Sequence, residues 1–95
     1  MIDIHWINVF RAVYECRSFS RAGEVLALSQ PTVSAHVASL EKTTGTRLFD
    51  RFGRQVLPTQ AGELLYHRSA DLVSHLASLE YELRYAGQKS AGCLR

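Results

Sequence analysis

The sequence has little of what secreted, membrane-bound or metal-binding domains use. Its 95 residues include two cysteines, Cys16 and Cys93, which form neither a CxxC motif nor a Cys/His cluster. No apolar run approaches the roughly 18 residues that a membrane-spanning helix needs. The N-terminus also lacks the basic and apolar regions of a secretory signal. We therefore expect a cytoplasmic domain with no disulfide, no metal site and no membrane contact.

The chain also lacks a large excess of charge of either sign, since its net charge at pH 7 is only +2. Its distribution is more informative: Arg47, Arg51 and Arg54 surround the single Asp50. A local basic spot on a nearly neutral chain suits contacts with nucleic acid at defined points. A solvated basic loop explains the same charges equally well.

Catalytic motifs are missing as well. The sequence has no Gly-rich phosphate loop, and nothing sets up its Ser, His and Asp residues as nucleophile, base and orienting group. His67 and His75 lie eight residues apart, which is not a usual ligand spacing. We expect a protein that is not an enzyme and needs no cofactor.

Helical periodicity is the main pattern that is present. Residues 4–14 carry apolar side chains at helical spacing behind Asp3, a plausible N-cap. A second helix over residues 20–26 is capped by Ser18 or Ser20, and its expected buried side includes Val25. Gly23 inside it indicates either a close helix–helix approach or a tolerated glycine.

The third helix begins at Ser29-Gln30-Pro31, where serine caps and proline fits the first turn. It ends near Gly45, a typical helix stop. Two short extended runs, at 48–51 and 56–57, then flank a turn at Gly53 and predict a β-hairpin.

Thr59 caps a long fourth helix in which leucines follow at intervals of seven, four, three and four residues, and Ala61, Arg68 and Ala86 complete an alternating four–three spacing. This spacing is typical of a coiled-coil seam and predicts dimerisation. The seam residues are Leu65, Leu72, Leu76, Leu79 and Leu83. The same stripe could instead cover the core of one domain, but the helix is too long for three short helices to cover. Tyr66, Tyr81 and Tyr85 are expected at the rim of the interface.

The predicted fold is mainly α: a winged helix-turn-helix of three helices and a short β-hairpin wing, followed by a long linker and dimerisation helix. We place the winged domain at 1–59, with the helix-turn-helix at about 19–38 and the wing at about 48–57. The linker helix then covers 60–86, and 87–95 form a hinge.

In a helix-turn-helix, the second helix of the pair enters the major groove of DNA. Short polar side chains in its first turns can then reach bases and phosphates. Arginines of a wing can reach the minor groove or a phosphate, although Arg51 could instead pair with a Glu. The candidate DNA contacts are Ser18, Ser20, Ser29, Gln30, Pro31, Thr32, Ser34, His36, Arg51 and Arg54. Capping alone would also explain Ser18 and Ser20, and which of Thr32, Ser34 and His36 touches bases stays open.

A set of motifs resembles the N-terminal domain of LysR-type transcriptional regulators over roughly residues 2–70. The motifs are Phe19-Ser20-Arg21-Ala22, Leu28-Ser29-Gln30-Pro31-Thr32-Val33-Ser34, Leu40-Glu41, Leu48-Phe49-Asp50-Arg51 and Thr59-Gln60-Ala61-Gly62. The resemblance implies a homodimer on interrupted inverted repeats in double-stranded promoter DNA, read through the major groove by helix three and the minor groove by the wing. It also implies a tetramer for the full-length regulator and leaves contact with RNA polymerase open.

The resemblance further implies a C-terminal domain that binds a small-molecule effector, and Gly92-Cys93-Leu94-Arg95 resembles the start of its opening strand. Many relatives carry Arg directly after the serine that matches Ser34, whereas this chain has Ala35-His36. An arginine–guanine contact is therefore missing at position 35, and the base preference should differ.

A winged helix used for protein–protein assembly is the competing interpretation. The polar start of helix three and the arginine wing argue against it, because a protein-binding surface is richer in exposed apolar anchors.

Overall fold

The computed structural model describes the backbone of residues 1–93 and the side chains of residues 1–87. The elements, in chain order, are α1 (Ile4–Cys16), α2 (Phe19–Leu26), α3 (Gln30–Thr44), β1 (Phe49–Phe52), β2 (Gln55–Pro58) and α4 (Gln60–Cys93). The two strands pair antiparallel, with Phe49 opposite Pro58 and Phe52 opposite Gln55. This order confirms the predicted winged helix-turn-helix with a long final helix. In the part of the chain that is described, no helix is both long and apolar enough to cross a membrane.

The helix starts follow the predicted capping residues. The Asp3 carboxylate accepts a hydrogen bond from the His5 amide at 2.8 Å, and Ser18, not Ser20, caps α2 by accepting from the Arg21 amide. Ser29 accepts from the Thr32 amide at the start of α3. Each cap satisfies a backbone donor that the helix leaves unpaired.

The turn between α2 and α3 is tight because Gly23 lacks a side chain. A Cβ at Gly23 would lie 2.7 Å from the carbonyl oxygen of Leu28, far inside van der Waals contact. Ala27 takes a left-handed conformation with a φ of 58°, and the Leu28 amide donates to the Gly23 carbonyl at 2.8 Å. The glycine therefore permits the close approach that sets the angle between the two helices.

The core lies where α1, α2, α3 and the wing meet. Phe10, Val13, Val33 and Leu40 are completely buried there. Phe49 of β1 closes the core, since its ring lies 5.2 Å from that of Phe10 and packs edge-on against Phe19. Val25 does not belong to this core: its side chain is 70% exposed because it lies about 110° around α2 from the buried side.

The linker helix runs further than predicted. The hinge that we placed at 87–95 is helical through Cys93 and continuous with α4, so the expected strand does not begin at Gly92 or Cys93. Gly87 and Gly92 each cost about 1 kcal/mol of helix propensity, but the segment contains no proline that would end the helix. Leu94 and Arg95 lie outside the described residues.

Candidate nucleic-acid interface

The exposed face of α3 presents small and polar side chains. Val33, Val37 and Leu40 are buried against the core, so the opposite side of the helix faces outward. The outward residues of the first three turns are Gln30, Pro31, Ala35 and Ala38, with Ser34 half-buried at their edge. A surface of an amide, a hydroxyl and methyl groups suits the edges of base pairs.

Thr32 and His36 lie on a different side of α3. Each is two residues from Ser34, so its side chain points about 160° away from that of Ser34. Both are half-buried, and the Thr32 hydroxyl lies 2.8 Å from the Ser29 hydroxyl in the capping turn. The hydroxyl groups of Thr32 and Ser29 therefore hydrogen-bond to each other at the helix start. His36 lies beside the face formed by Gln30 and Ser34.

The wing carries two arginines in different settings. Arg54 is exposed in the hairpin turn, directly after Gly53, whose φ of 62° is a conformation that favours glycine. Arg51 is also exposed, but its guanidinium carbon lies 4.4 Å above the Phe19 ring. This cation–π contact ties Arg51 to the start of α2 and replaces the ion pair with a Glu that the sequence left open.

Five of the predicted contact residues line one open concavity between the start of α2, the start of α3 and the wing. They are Ser18, Ser20, Gln30, Arg51 and Arg54. Among the described residues, no Asp or Glu lines this concavity, so the two guanidinium groups dominate its charge. Ser34 lies in the adjoining groove, which Arg51 also lines. The fold thus brings together positive charge, hydroxyl groups and a helix start, a combination suited to a phosphate backbone.

Glu41 and Thr59 hold the wing in place, and Thr59 also caps α4 as predicted. The Glu41 carboxylate accepts hydrogen bonds from the amides of Leu48 and Phe49, at 2.8 and 3.4 Å. The Thr59 hydroxyl donates to the Arg47 carbonyl at 2.6 Å and accepts from the Gly62 amide at 3.1 Å. Glu41 stood in a recognised motif, but its partners lie in another element, which local patterns do not reveal.

Arg47 differs from the other wing arginines. Its guanidinium forms an ion pair with Asp50 at 2.7 Å. The apparent basic cluster of the sequence is therefore reduced to Arg51 and Arg54. Phe52 is a further residue that sequence reasoning did not select, and its ring is 60% exposed beside the Arg54 turn.

The leucine seam of α4 divides into two parts. Leu65 is half-buried and packs against the core of its own domain. Leu72, Leu76, Leu79 and Leu83 are 55%, 37%, 49% and 62% exposed. Leu72, Leu76 and Leu79 line an apolar groove that is completed by residues of the N-terminus and α1, including Ile2, Ile4 and Ile7. Such a row of exposed leucines marks an interaction surface.

The tyrosines of α4 also differ from one another. Tyr66 is not at an open rim: its ring stacks on the Tyr14 ring of α1, with 3.7 Å between centroids and 6° between planes. Tyr81 and Tyr85 are 69% and 54% exposed. The Tyr14 partner lies in another helix, so heptad spacing within α4 could not reveal it.

Comparison with known proteins places this arrangement in a family. The model of the bacterial regulatory helix-turn-helix protein of the lysR family matches residues 4–63. The chain belongs to the LysR family. The assignment agrees with the sequence motifs and makes the chain a helix-turn-helix domain of a regulator, not an enzyme.

Curated relatives of this LysR-family chain are regulators. It is 48% identical over 75 residues to an uncharacterized HTH-type transcriptional regulator of Azotobacter vinelandii, covering 79% of this chain and 52% of the relative. It is 39% identical over 94 residues to the RuBisCO operon transcriptional regulator of Allochromatium vinosum, covering 99% of this chain and 31% of the relative. The chain therefore spans about half of the first relative and under a third of the second.

Solved structures show the same fold. A complex of the BenM DBD with benA site 1 DNA superposes with a TM-score of 0.83 at 27% identity, covering 88% of this chain and 98% of that one. Vibrio fischeri DarR in complex with DNA gives a TM-score of 0.87 at 25% identity, covering 93% of this chain and 30% of that one.

Proposed function

We propose that a homodimer of this chain binds interrupted inverted repeats in double-stranded promoter DNA and thereby regulates transcription in the cytoplasm, at the nucleoid. The observation that carries the proposal is the concavity where Ser18, Ser20 and Gln30 meet Arg51 and Arg54. Family membership and the DNA complexes of the BenM and DarR neighbours support it.

The reading helix is α3, placed in the major groove with its N-terminus toward the DNA. We assign base reading to Gln30, Pro31, Ser34 and Ala35, because Gln30, Pro31 and Ala35 are exposed and Ser34 lies in the groove that Arg51 also lines. Gln30 can make a bidentate contact with adenine, and the Ala35 methyl can pack on a thymine methyl. Thr32 and His36 lie to the side, so we assign them no base, and Ser29 acts by capping α3.

The wing contributes charge in two ways. Arg54 at the exposed turn enters the minor groove, where a narrow groove attracts a guanidinium group. Arg51 is held near α2 by Phe19, so it binds a backbone phosphate together with the hydroxyls of Ser18 and Ser20. Phosphate contacts of this kind fix the orientation of the protein, and base contacts then supply specificity.

The second copy of the chain covers the exposed part of the leucine seam. Leu72, Leu76, Leu79 and Leu83 fall within about 60° on one face of α4, which is a continuous stripe. Self-complementary stripes pair by two-fold symmetry, the commonest symmetry of soluble dimers. A two-fold dimer matches an inverted repeat, because each subunit meets one half-site. A tetramer, contact with RNA polymerase and a C-terminal effector domain remain predictions for a longer protein.

Selection of bound sequences from a pool of random DNA, followed by titration of salt, tests this function. The selected sites should contain two inverted half-sites, and the logarithm of affinity should fall linearly with the logarithm of salt concentration. A DNA affinity that does not change with salt concentration, or no DNA binding at any salt concentration, would instead favour a winged helix used for protein assembly.

A further inference from the structure

The angle at which α4 leaves the winged domain is set within its first four turns, up to the half-buried Val73. From residue 74 to residue 87, every side chain of α4 is exposed. The buried or half-buried positions before that include Ala61, Gly62, Leu65, Tyr66 and Ser69. The contacts of these few residues therefore determine the direction of the whole helix.

The first attachment is a close backbone approach at Gly62. A Cβ at this position would overlap the carbonyl oxygen of Leu48, so only glycine allows α4 to lie against the start of the wing. One such point fixes where the helix begins, but a rod held at one point can still tilt.

The second attachment is a reciprocal pair of tyrosines, one on each helix. The Tyr14 hydroxyl of α1 donates to Glu63 of α4 at 2.6 Å. The Tyr66 hydroxyl of α4 donates to Glu15 of α1 at 2.7 Å. Between these hydrogen bonds the two rings stack nearly parallel. Hydrogen bonds to charged acceptors are the stronger kind, and a stacked pair adds a preferred geometry.

Arg11 of α1 and Arg17, the residue directly after α1, reinforce the tyrosine pair. Arg11 donates to the Tyr66 carbonyl at 2.8 Å and to the hydroxyl of the buried Ser69 at 2.7 Å. Its guanidinium carbon also lies 4.2 Å from the Tyr66 ring centroid, and that of Arg17 lies 4.8 Å from the Tyr14 centroid. The pair is thus a network of oriented contacts, in which a tilt of α4 breaks several at once.

The length of α4 amplifies any tilt at its base. Leu83 lies 14 residues beyond Ser69, which is about 21 Å along the helix, so a tilt of about 10° moves it by roughly 4 Å. One base pair of DNA advances by about 3.4 Å. A small change of angle therefore moves a paired partner by about one base-pair step.

We propose that Tyr14 and Tyr66, through Glu63 and Glu15, are positioning residues that set the spacing of the two DNA half-sites. They fix the angle between the reading domain and the pairing helix, and the two-fold dimer converts that angle into a distance between the two α3 helices. This inference rests on the proposed function, since it assumes that the dimer binds paired half-sites.

The main test uses the variant Tyr14→Phe/Tyr66→Phe, which keeps both rings and removes both hydroxyls. Tyr81→Phe is the matched control, because Tyr81 lies on the same helix and is 69% exposed. Affinity is measured for half-site pairs whose spacer changes by single base pairs. The wild type and the control should bind one spacer length most tightly. In the double variant, the ratio of the affinity for that spacer to the affinity for neighbouring spacers should fall about fivefold, the order expected for lost hydrogen bonds. The affinity of the double variant for a single half-site should stay within about twofold of the wild-type affinity.

A preference as sharp as that of the wild type in the folded double variant would overturn the inference. Equal losses at single and paired half-sites would do the same, because they indicate a general structural role. If the double variant does not fold, Glu15→Ala and Glu15→Gln replace it. Glu15→Gln keeps an acceptor for the Tyr66 hydroxyl and should keep the preference, whereas Glu15→Ala should weaken it.

A distance measurement separates this inference from the proposed function. Spin labels at Lys42 and Glu82, both exposed, report the angle between α3 and α4 without DNA. Cys16 and Cys93 are replaced by serine, and labelled chains are diluted with unlabelled ones. The distance distribution should widen in the Tyr14→Phe/Tyr66→Phe variant but not in Tyr81→Phe. If the distance distribution of the double variant is unchanged, the positioning role is refuted. If the distribution widens but the chain binds no DNA, only the proposed function is refuted.

Discussion

The Glu41 carboxylate accepts a hydrogen bond from the Leu48 amide at 2.8 Å, which ties the end of α3 to the start of the wing. Leu48 is buried, so water cannot readily replace this acceptor. The contact links the two elements that we assign to the major and minor grooves. This carboxylate therefore helps to fix their relative position.

Replacing Glu41 by alanine should destabilise the domain by about 1–3 kcal/mol, because a buried amide loses its acceptor. Glu41→Gln is the matched control, since its amide oxygen can still accept and should recover most of the loss. Urea unfolding of the three proteins measures the difference. Equal stability of Glu41→Ala and the wild type would show that the carboxylate does not hold the wing.

Two glycines of α4 should respond to alanine with opposite signs. At Gly62 a Cβ overlaps the Leu48 carbonyl, a backbone atom that cannot move away alone. At Gly87 a Cβ meets nothing within 4 Å. Gly87→Ala should therefore stabilise the helix by up to about 1 kcal/mol. Gly62→Ala should destabilise the domain despite the same gain in propensity. Thermal unfolding compares the two, and a stable Gly62→Ala variant would contradict the close approach.

The exposed leucines make dimerisation sensitive to a single charge. Leu72→Asp should shift the chain to monomers, because a buried unpaired carboxylate is strongly unfavourable in an apolar interface. Tyr81→Asp is the control: its side chain is 69% exposed and points to the opposite side of α4. Analytical ultracentrifugation should find dimers for the wild type and Tyr81→Asp, and monomers for Leu72→Asp. A Leu72→Asp dimer as tight as the wild type would place the interface elsewhere.

These features differ in how far the sequence could predict them. The caps at Asp3, Ser29 and Thr59 were predictable, because each acts on a backbone amide two or three residues away, and for α2 the sequence narrowed the cap to Ser18 or Ser20. The partners of Tyr66 and Glu41 were not, because they depend on how separate elements pack. A periodic pattern reports one face of one helix and carries no information about the element that meets it.

The leucine seam illustrates the same limit within one pattern. Leu65 and Leu72 have equivalent positions in the four–three spacing, yet Leu65 packs on its own domain and Leu72 is 55% exposed. The difference arises because the core of the winged domain reaches Leu65 but not Leu72. Spacing predicted the stripe, and only the fold shows which part of it remains open for a partner.

Arg54 and Arg84 are both exposed, but only Arg54 lines the concavity of the proposed interface. Arg54→Ala should weaken DNA binding and reduce the salt slope by about one, if its guanidinium replaces one counterion near the backbone. Arg84→Ala removes the same charge from α4 and should leave the slope unchanged. Fluorescence anisotropy at several salt concentrations measures both. Equal slopes for the two variants would mean that total charge, and not the wing, drives binding.

The Ala35 methyl group lies on the outward side of α3, beside Ser34, and leaves room for a longer side chain. Ala35→Arg should therefore gain preference for guanine at one position of each half-site, by about 1–3 kcal/mol, through a bidentate contact. His36→Ala is the control, because His36 is half-buried on the flank of the helix and should not alter the selected sequence. Selection from random DNA compares the three proteins. If His36→Ala changes the base preference and Ala35→Arg does not, α3 is rotated in the groove relative to the orientation proposed here, and the half-buried side of the helix reads the DNA.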